Sequence, residues 1–401
     1  MHLRVRAMAH GGEGIADAPD GRVVFVRGGV PGDVVNATLA KVKKRWARAD
    51  AVEVVEPSTH RVEPTCPAAA AGAGCCDYSH IRPDAQVGFK RDILLGQLGA
   101  LSAHSGVLDG FDFNHLEVAQ LAPPTGWRTR VRLGIDSRGK AGMRRARSAD
   151  VVASSVCTQP VPGLLDGIVG EDARAFAPGA ELVVARDANG QRHVVQTQAA
   201  QRGRRVEAVQ RVLEGDGDVV ERVRGFDFVF PPTAFWQAHV RAPEAYSDTI
   251  ADWGRGEYAT PVGWDLYGGV GAFVPAISDA LGGGAVESVD YSDAAAAREQ
   301  QVADAFNVRM HHGDVASTVS QLPKPGLVVL DPPRAGAGQD VVDAIADAAP
   351  SRVIHVGCDP ATFARDLAGF GNRGYAVTRL KLIDAFPNTH HFEVIAALER
   401  A

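Results

Sequence analysis

The chain is 401 residues long, 45% hydrophobic and 22% charged. At about 150 residues per domain this makes two or three folded domains and excludes a wholly disordered or fibrous chain. The net charge of −6 would disfavour a nucleic-acid partner if it were evenly spread, and it is not.

Residues 1–57 read as short strands, with apolar patches HLRVRAMA, RVVFVRG, DVVNATLAKV and DAVEVVEP separated by Gly11-Gly12, Asp20-Gly21, Gly28-Gly29 and Pro31-Gly32. Short strands at near-regular spacing predict a small antiparallel barrel. Within it, KVKKRWAR (Lys41 to Arg48) carries five bases and no acid. A cysteine segment, CPAAAAGAGCCDYSH, follows, and then a helix is predicted from Pro83 to Ser102, its stripe formed by Val87, Phe89, Ile93, Leu94, Leu98 and Leu101. Residues 120–230 are strand-rich. Between Arg128 and Arg147 eight bases stand against one acid, a second basic stripe suited to phosphates. From about residue 231, strand-like and helix-like runs alternate: GWDLYG and GAFVPAISDAL, AVESVDYS and DAAAAREQQVADAF, GLVVLDPP and GQDVVDAIADAA, SRVIHVGCDP and ATFARDLAGF. Repeats of this kind imply a parallel sheet covered by helices, which binds ligands beyond the C-terminal strand ends. No apolar run reaches the roughly 18 residues of a spanning helix. The opening MHLRVRAMAHGGEG lacks the apolar core of a secretory signal. No membrane, a cytoplasmic location and no obligate protein partner are therefore expected. Five cysteines are too few for a disulfide scaffold, and their odd number points to a metal site or a reactive thiol.

The chemistry-bearing residues lie at the predicted strand ends. Asp265-Leu-Tyr-Gly-Gly-Val-Gly-Ala-Phe273 is a strand followed by a glycine turn, where Gly269 and Gly271 let a ligand approach the backbone. Asp290, at the end of the next strand, is placed to accept the ribose hydroxyls of a nucleoside cofactor. NAD is disfavoured, because Val274 stands where GxGxxG requires its third glycine. Asp331-Pro-Pro-Arg334 is a stiff loop ending in arginine, where methylases of exocyclic amines commonly place an aromatic residue. Cys358 marks a strand-to-helix junction, where the helix dipole would favour a thiolate and Asp359 alongside would oppose it. Glu393 opens the last strand.

Together these motifs resemble the S-adenosylmethionine-dependent RNA uracil-C5 methyltransferases, over nearly the whole chain. GGEGIA, VVFVRGGVPGD and KVKKRWA look like a TRAM domain, and FWQAH, DLYGGVGAF, SVDYS, DPPRAG, VGCDPATFARDL and FPNTHHFE follow in the family's order. The resemblance implies an α/β architecture in three parts: an OB-like TRAM barrel (1–57), a central α+β domain (58–230) with the cysteine cluster, whose helix near 83–102 would pack on the catalytic domain, and a Rossmann-like class I methyltransferase domain (231–401). It implies Cys358 as the nucleophile that adds to uracil C6 and Glu393 as the base that removes the C5 proton. It implies Gln237, Tyr267, Gly269, Gly271, Asp290, Asp314 and Asp331 as cofactor-binding, with Gln237 and Asp331 alternatively touching the uracil. The substrate would be ribosomal or transfer RNA. Cys66, Cys75, Cys76 and Cys157 would hold a [4Fe–4S] cluster, although Ala73 stands in place of the family's second cysteine and the middle pair is adjacent; four thiolates suit zinc equally. Gly357 and Asp359 replace the usual serine and asparagine beside the nucleophile, and Ala272 replaces a polar residue of the glycine turn. The competing reading is a non-catalytic RNA-binding or assembly protein that retains the fold.

Overall fold

The computed structural model describes residues 1–101, 104–198, 209–292 and 299–400. Five strands, β1 (His2–Met8), β2 (Gly14–Asp17), β3 (Val23–Arg27), β4 (Val34–Val42) and β5 (Trp46–Glu56), close into a barrel in the order β1-β2-β3-β5-β4. Alternation drives it: Leu3, Val5, Val24, Val26 and Val35 point inward and are buried, while their neighbours face out. Closure leaves no unpaired sheet edge.

The stretch 58–230, expected as a single central domain, is divided. β6 (Glu117–Gln120) pairs in parallel with a strand at the far end of the chain, Lys381↔Glu117 through Asp384↔Gln120. β7 (Arg130–Ile135), β8 (Ala141–Arg144), β9 (Val151–Val152), β10 (Ala180–Arg186), β11 (Arg192–Gln198) and β12 (Val209–Glu214) form a separate antiparallel sheet in the order β12-β11-β10-β7-β8-β9. The hairpin of β13 (Val219–Val223) and β14 (Phe226–Phe230) buries Val219, Val223, Phe228 and Phe230 in the core of the C-terminal sheet. Local patterning identified these strands as strands; which sheet each one joins depends on which distant apolar face it covers.

The expected helix is Pro83–Leu101, with Ser102 outside the described residues. Along it, Gln86, Lys90, Ile93, Leu94 and Leu98 are buried, whereas Leu101 is exposed. Val87 and Phe89 pack half-buried against the same core, and the polar Gln86 and Lys90 are buried beside them because each meets buried partners from the C-terminal region.

The catalytic-type sheet contains β15 (Val262–Leu266), β16 (Ala285–Asp290), β17 (Val308–His312), β18 (Leu327–Leu330), β19 (Arg352–Gly357), β20 (Tyr375–Asp384) and β21 (Glu393–Arg400), in the order β17-β16-β15-β18-β19-β21-β20-β6. β17 through β19 are parallel, and β21 runs antiparallel to both its neighbours. Helices Val274–Ala280, Gln339–Ala348 and Pro360–Gly371 occupy the crossovers as expected; in the DAAAAREQQVADAF run the helix spans Glu299–Ala305, and residues 293–298 lie outside the described residues. Successive β18 residues serve opposite layers: Val328 and Leu330 enter one core, Leu327 and Val329 the other. The order reverses between β15 and β18, and a sheet of this type opens its ligand crevice at such a switch point.

Candidate active site

A cavity of about 1040 Å³ opens at that switch point. Its wall includes Gln237, Tyr267, Gly269, Asp290, Asp314, Asp331, Cys358 and Glu393, so one space collects eight of the nine expected catalytic and cofactor residues. Gly271 is the exception. It holds φ +83 inside the turn, where an added Cβ would face Val302 and Val274, so it shapes the loop without touching the cavity.

The glycine turn begins with Tyr267 at φ +62, a left-handed conformation that a tyrosine adopts only under local constraint. Gly269 follows at φ +58, with nothing within 4 Å of where its Cβ would stand. Its N–H donates to Asp290 Oδ2 at 2.9 Å, and the Ser292 N–H donates to Oδ1 at 2.7 Å. Each oxygen of Asp290 keeps a further lone pair for a ligand hydroxyl. Asp314 caps the short helix Val315–Thr318 by accepting from Ser317 N–H at 3.1 Å.

Strand register brings the two catalytic candidates together. β19 pairs antiparallel with β21, Gly357 opposite Val394. Continuing that register by one residue sets Cys358 opposite Glu393. Asp331 leaves the end of β18, the parallel neighbour of β19. Burial, with additions from Glu393, Asp331 and Asp359 and opposition from Arg334, pushes the Cys358 thiol up to about 12. Burial, then Asp331, likewise holds Glu393 well above the usual carboxylate range, again opposed by Arg334. Glu393 Oε2 is buried with no hydrogen-bond partner. Burial, reinforced by Asp265, pushes Asp331 up to about 7.

The expected helix-dipole activation of Cys358 is therefore corrected. Asp359 is the N-cap of Pro360–Gly371, and its Oδ1 accepts from the N–H groups of Ala361 and Thr362, both at 3.0 Å. The carboxylate thus consumes the donors that would have stabilised a thiolate. Its Oδ2 lies 2.9 Å from His10 Nε2, which reaches over from the barrel.

Of the aromatic pair in FWQAH, Phe235 is 54% exposed, whereas Trp236 is buried against Phe228 and Phe230. Four further wall residues, Arg128, Tyr291, Phe386 and His391, lie inside the basic stripe and the SVDYS and FPNTHHFE motifs but were not individually singled out as site residues. Burial, with His390 and Arg334 adding, pushes His391 down to about 2, so it stays neutral. Tyr246 is fully buried with an unpartnered hydroxyl, within the field of Glu393, Asp331 and Cys358. The second basic stripe is also corrected. Arg130 pairs with Glu221 at 2.9 Å, Arg132 with Glu181 at 3.2 Å and Arg147 with Glu13 at 2.7 Å, while Arg144 meets Glu181 and Arg138 meets Asp136. Three acids distant in sequence thus pair with four of the eight bases, and Arg128 lies on the cavity wall.

The strand order and the ligand crevice at its reversal define a class I methyltransferase, here joined to a barrel of the kind that grips RNA. The TRAM domain family matches residues 2–52, and the family described as tRNA (Uracil-5-)-methyltransferase matches residues 321–401. An uncharacterized RNA methyltransferase of Corynebacterium glutamicum is 49% identical, over 100% of this chain and 97% of its own. A 23S rRNA (uracil(1939)-C(5))-methyltransferase of Marinomonas sp. is 29% identical, over 99% of this chain and 94% of its own. The Pyrococcus abyssi tRNA (uracil-54, C5)-methyltransferase, solved with S-adenosyl-L-homocysteine, shares the fold with a TM-score of 0.72 over 99% of each chain at 20% identity. The chain belongs to the TRAM-bearing RNA (uracil-C5)-methyltransferase family.

Proposed function

We propose that this chain transfers a methyl group from S-adenosylmethionine to C5 of a uridine in ribosomal or transfer RNA. The observation that carries this reading is the meeting of Cys358 and Glu393 across the ends of β19 and β21, on the same wall as the glycine turn. Ordinary small-molecule sites span about 300–1,000 Å³. The cavity of about 1040 Å³ therefore suits a nucleoside cofactor together with an extruded base. The open side of Gly269 and the spare lone pairs of Asp290 suit the cofactor's ribose and backbone.

When bound, S-adenosylmethionine supplies the methyl group and a positively charged sulfonium. The chain's residues supply the rest. Uracil C5 is a poor nucleophile until something adds at C6. Cys358, as its thiolate, forms the Sγ–C6 bond, and the displaced π pair makes C5 electron-rich enough to take the methyl carbon. Glu393, as its carboxylate, then removes the proton from C5. The electron pair left behind restores the C5–C6 double bond as the C6–Sγ bond breaks, regenerating the thiolate. Both groups must be anionic to act, and burial with the neighbouring carboxylates works against ionisation of each in the ligand-free pocket. Arg334 is the cation that lowers both. This accounts for an arginine at the end of DPPR.

The test uses RNA tritiated at uracil C5. Methyl incorporation with stoichiometric tritium release is expected, Cys358→Ala abolishing both. Glu393→Gln is expected to accumulate a covalent RNA–protein adduct, because addition and methylation precede the blocked proton removal. Full turnover by Cys358→Ala would defeat the mechanism. RNA binding without any methyl transfer by the unmodified chain would favour the non-catalytic reading.

A further inference from the structure

Away from the cavity, four cysteines converge beside the sheet of β7 to β12. The Sγ atoms of Cys66, Cys75 and Cys76 stand 3.9, 3.8 and 3.7 Å from that of Cys157. Those of Cys66, Cys76 and Cys157 all lie within 4.8 Å of one another, and these three residues are buried. None is disulfide-bonded.

The sulfur spacing discriminates between the two ligand classes left open by the sequence. In a [4Fe–4S] cluster each cysteine binds a different iron at the corners of a cube, so the four sulfurs must stand apart by the cube and two further bonds. Four sulfurs on one tetrahedral ion, each about 2.3 Å from it, stand roughly 3.8 Å from one another. The three spacings to Cys157 match the second arrangement, and Cys66, Cys76 and Cys157 form the compact set; Cys75 Sγ, 3.8 Å from Cys157, stands farther from at least one of the other two and would close the tetrahedron by a small side-chain movement. The sequence explains the contraction. Ala73 occupies the position of the usual second cysteine, and its replacement, Cys75, is directly bonded to the next ligand residue. Between them, Gly74 lets the loop lie flat on the sheet. Its N–H donates to the Arg144 carbonyl at 3.0 Å, and a Cβ there would stand 2.8 Å from Ala146 Cα.

We infer that this chain binds a single zinc ion through Cys66, Cys75, Cys76 and Cys157 in place of the iron–sulfur cluster that the family resemblance implies. A tetrathiolate site favours zinc over ferrous iron, which forms the weaker complexes in the ordinary order of divalent ions. The ion braces the cavity from behind. Directly after Cys76, the carboxylate of Asp77 accepts from His390 N–H at 3.0 Å, and Tyr78 N–H donates to the Asn388 carbonyl at 3.0 Å, so the ligand loop holds the segment leading to Glu393. On the other side, Gln159 donates to the Cys75 carbonyl at 3.1 Å and accepts from Arg128 Nε at 3.1 Å, which fixes an arginine of the cavity wall.

The full chain, purified both in air and anaerobically, is analysed for zinc, iron and acid-labile sulfide, and its visible spectrum is recorded. One zinc per chain with negligible iron and sulfide is expected in both preparations. Growth with cobalt is expected to give the intense visible bands of a tetrahedral tetrathiolate cobalt site. Iron and sulfide near four per chain in the anaerobic preparation would overturn the inference. So would a single iron, or a metal-free chain with four titratable thiols. Cys75→Ser, the least buried ligand, is expected to lower zinc retention during dialysis against a chelator at least about ten-fold. These measurements on the unmodified chain decide the question even where a ligand variant does not fold.

Discussion

Cys358 sits in surroundings that oppose its ionisation: burial first, then Glu393, Asp331 and Asp359, with Arg334 alone opposing them. A thiol pushed up to about 12 reacts slowly with electrophiles at neutral pH. The Cys358 peptide of the ligand-free enzyme is therefore expected to be alkylated by iodoacetamide at least about ten-fold more slowly than an ordinary thiol near pKa 8.5, with the rate rising as pH rises. Arg334→Gln is expected to slow it further and to lower kcat. Peptide mass spectrometry measures the rate, and alkylation as fast as an ordinary surface thiol would contradict this picture. Asp265 and Asp331 make a second residue-scale statement. Burial pushes each from the usual 3.8 up to about 7. Between those values the folded chain keeps protons that the unfolded chain has lost. Their contribution to stability is fully present below 3.8 and is lost as pH rises through about 7. Denaturation midpoints of the ligand-free enzyme are expected to fall from about pH 5 to about pH 8, and Asp265→Asn is expected to flatten the fall.

Among the elements, the segment Phe386–Glu393 is held less by its own sequence than by the helix Pro83–Leu101. Lys90 Nζ donates to Asp384 Oδ1 at 2.6 Å and to the Phe386 carbonyl at 3.2 Å, with both side chains of the ion pair fully buried. Gln86 accepts from Asn388 N–H at 2.8 Å and donates to Asn388 Oδ1 at 3.1 Å. Removing one partner of a buried ion pair leaves an uncompensated charge and costs about 3–5 kcal/mol. Lys90→Met is expected to destabilise the protein by about that amount in chemical denaturation. Adding Asp384→Leu is expected to recover part of the loss, since the orphaned carboxylate is then removed; no recovery would assign the cost to packing alone. The helix and most of its packed apolar stripe were legible in the sequence, but the two buried polar residues beside that stripe were not. Apolar periodicity points to Val87 and Phe89, while the observed face includes a lysine and a glutamine whose partners lie some 300 positions away.

In the whole molecule, the barrel packs against segments that flank the cavity without lining it. The barrel's His10 bonds the N-cap beside Cys358. Gly12 packs so closely that a Cβ there would strike the Asp77 carboxylate, and Glu13 receives Arg48 and Arg147. The barrel's outer hairpin leaves Lys43, Lys44 and Arg45 exposed, with Lys41 and Arg48 flanking the Trp46 ring. If this hairpin carries the phosphates, each of Lys43→Ser, Lys44→Ser and Arg45→Ser should reduce the slope of log affinity against log salt by roughly 0.7–0.9. The variants would weaken RNA binding without changing kcat at saturating RNA; an unchanged salt slope would move the phosphate path elsewhere. Sequence by itself determined the barrel, the alternating strand–helix order and the strand-end motifs, because strand alternation, glycine turns and chain-stopping prolines act over a few residues. Tertiary structure alone decided that β6 closes the edge of the far sheet, that distant acids pair with four of the eight bases of the second stripe, that Cys358 is buried beside Glu393 and Asp331, and that the sulfurs of Cys66, Cys76 and Cys157 lie within 4.8 Å of one another. Each of these depends on which distant groups share a low-dielectric space or complete a hydrogen-bond ladder, and no local pattern encodes that.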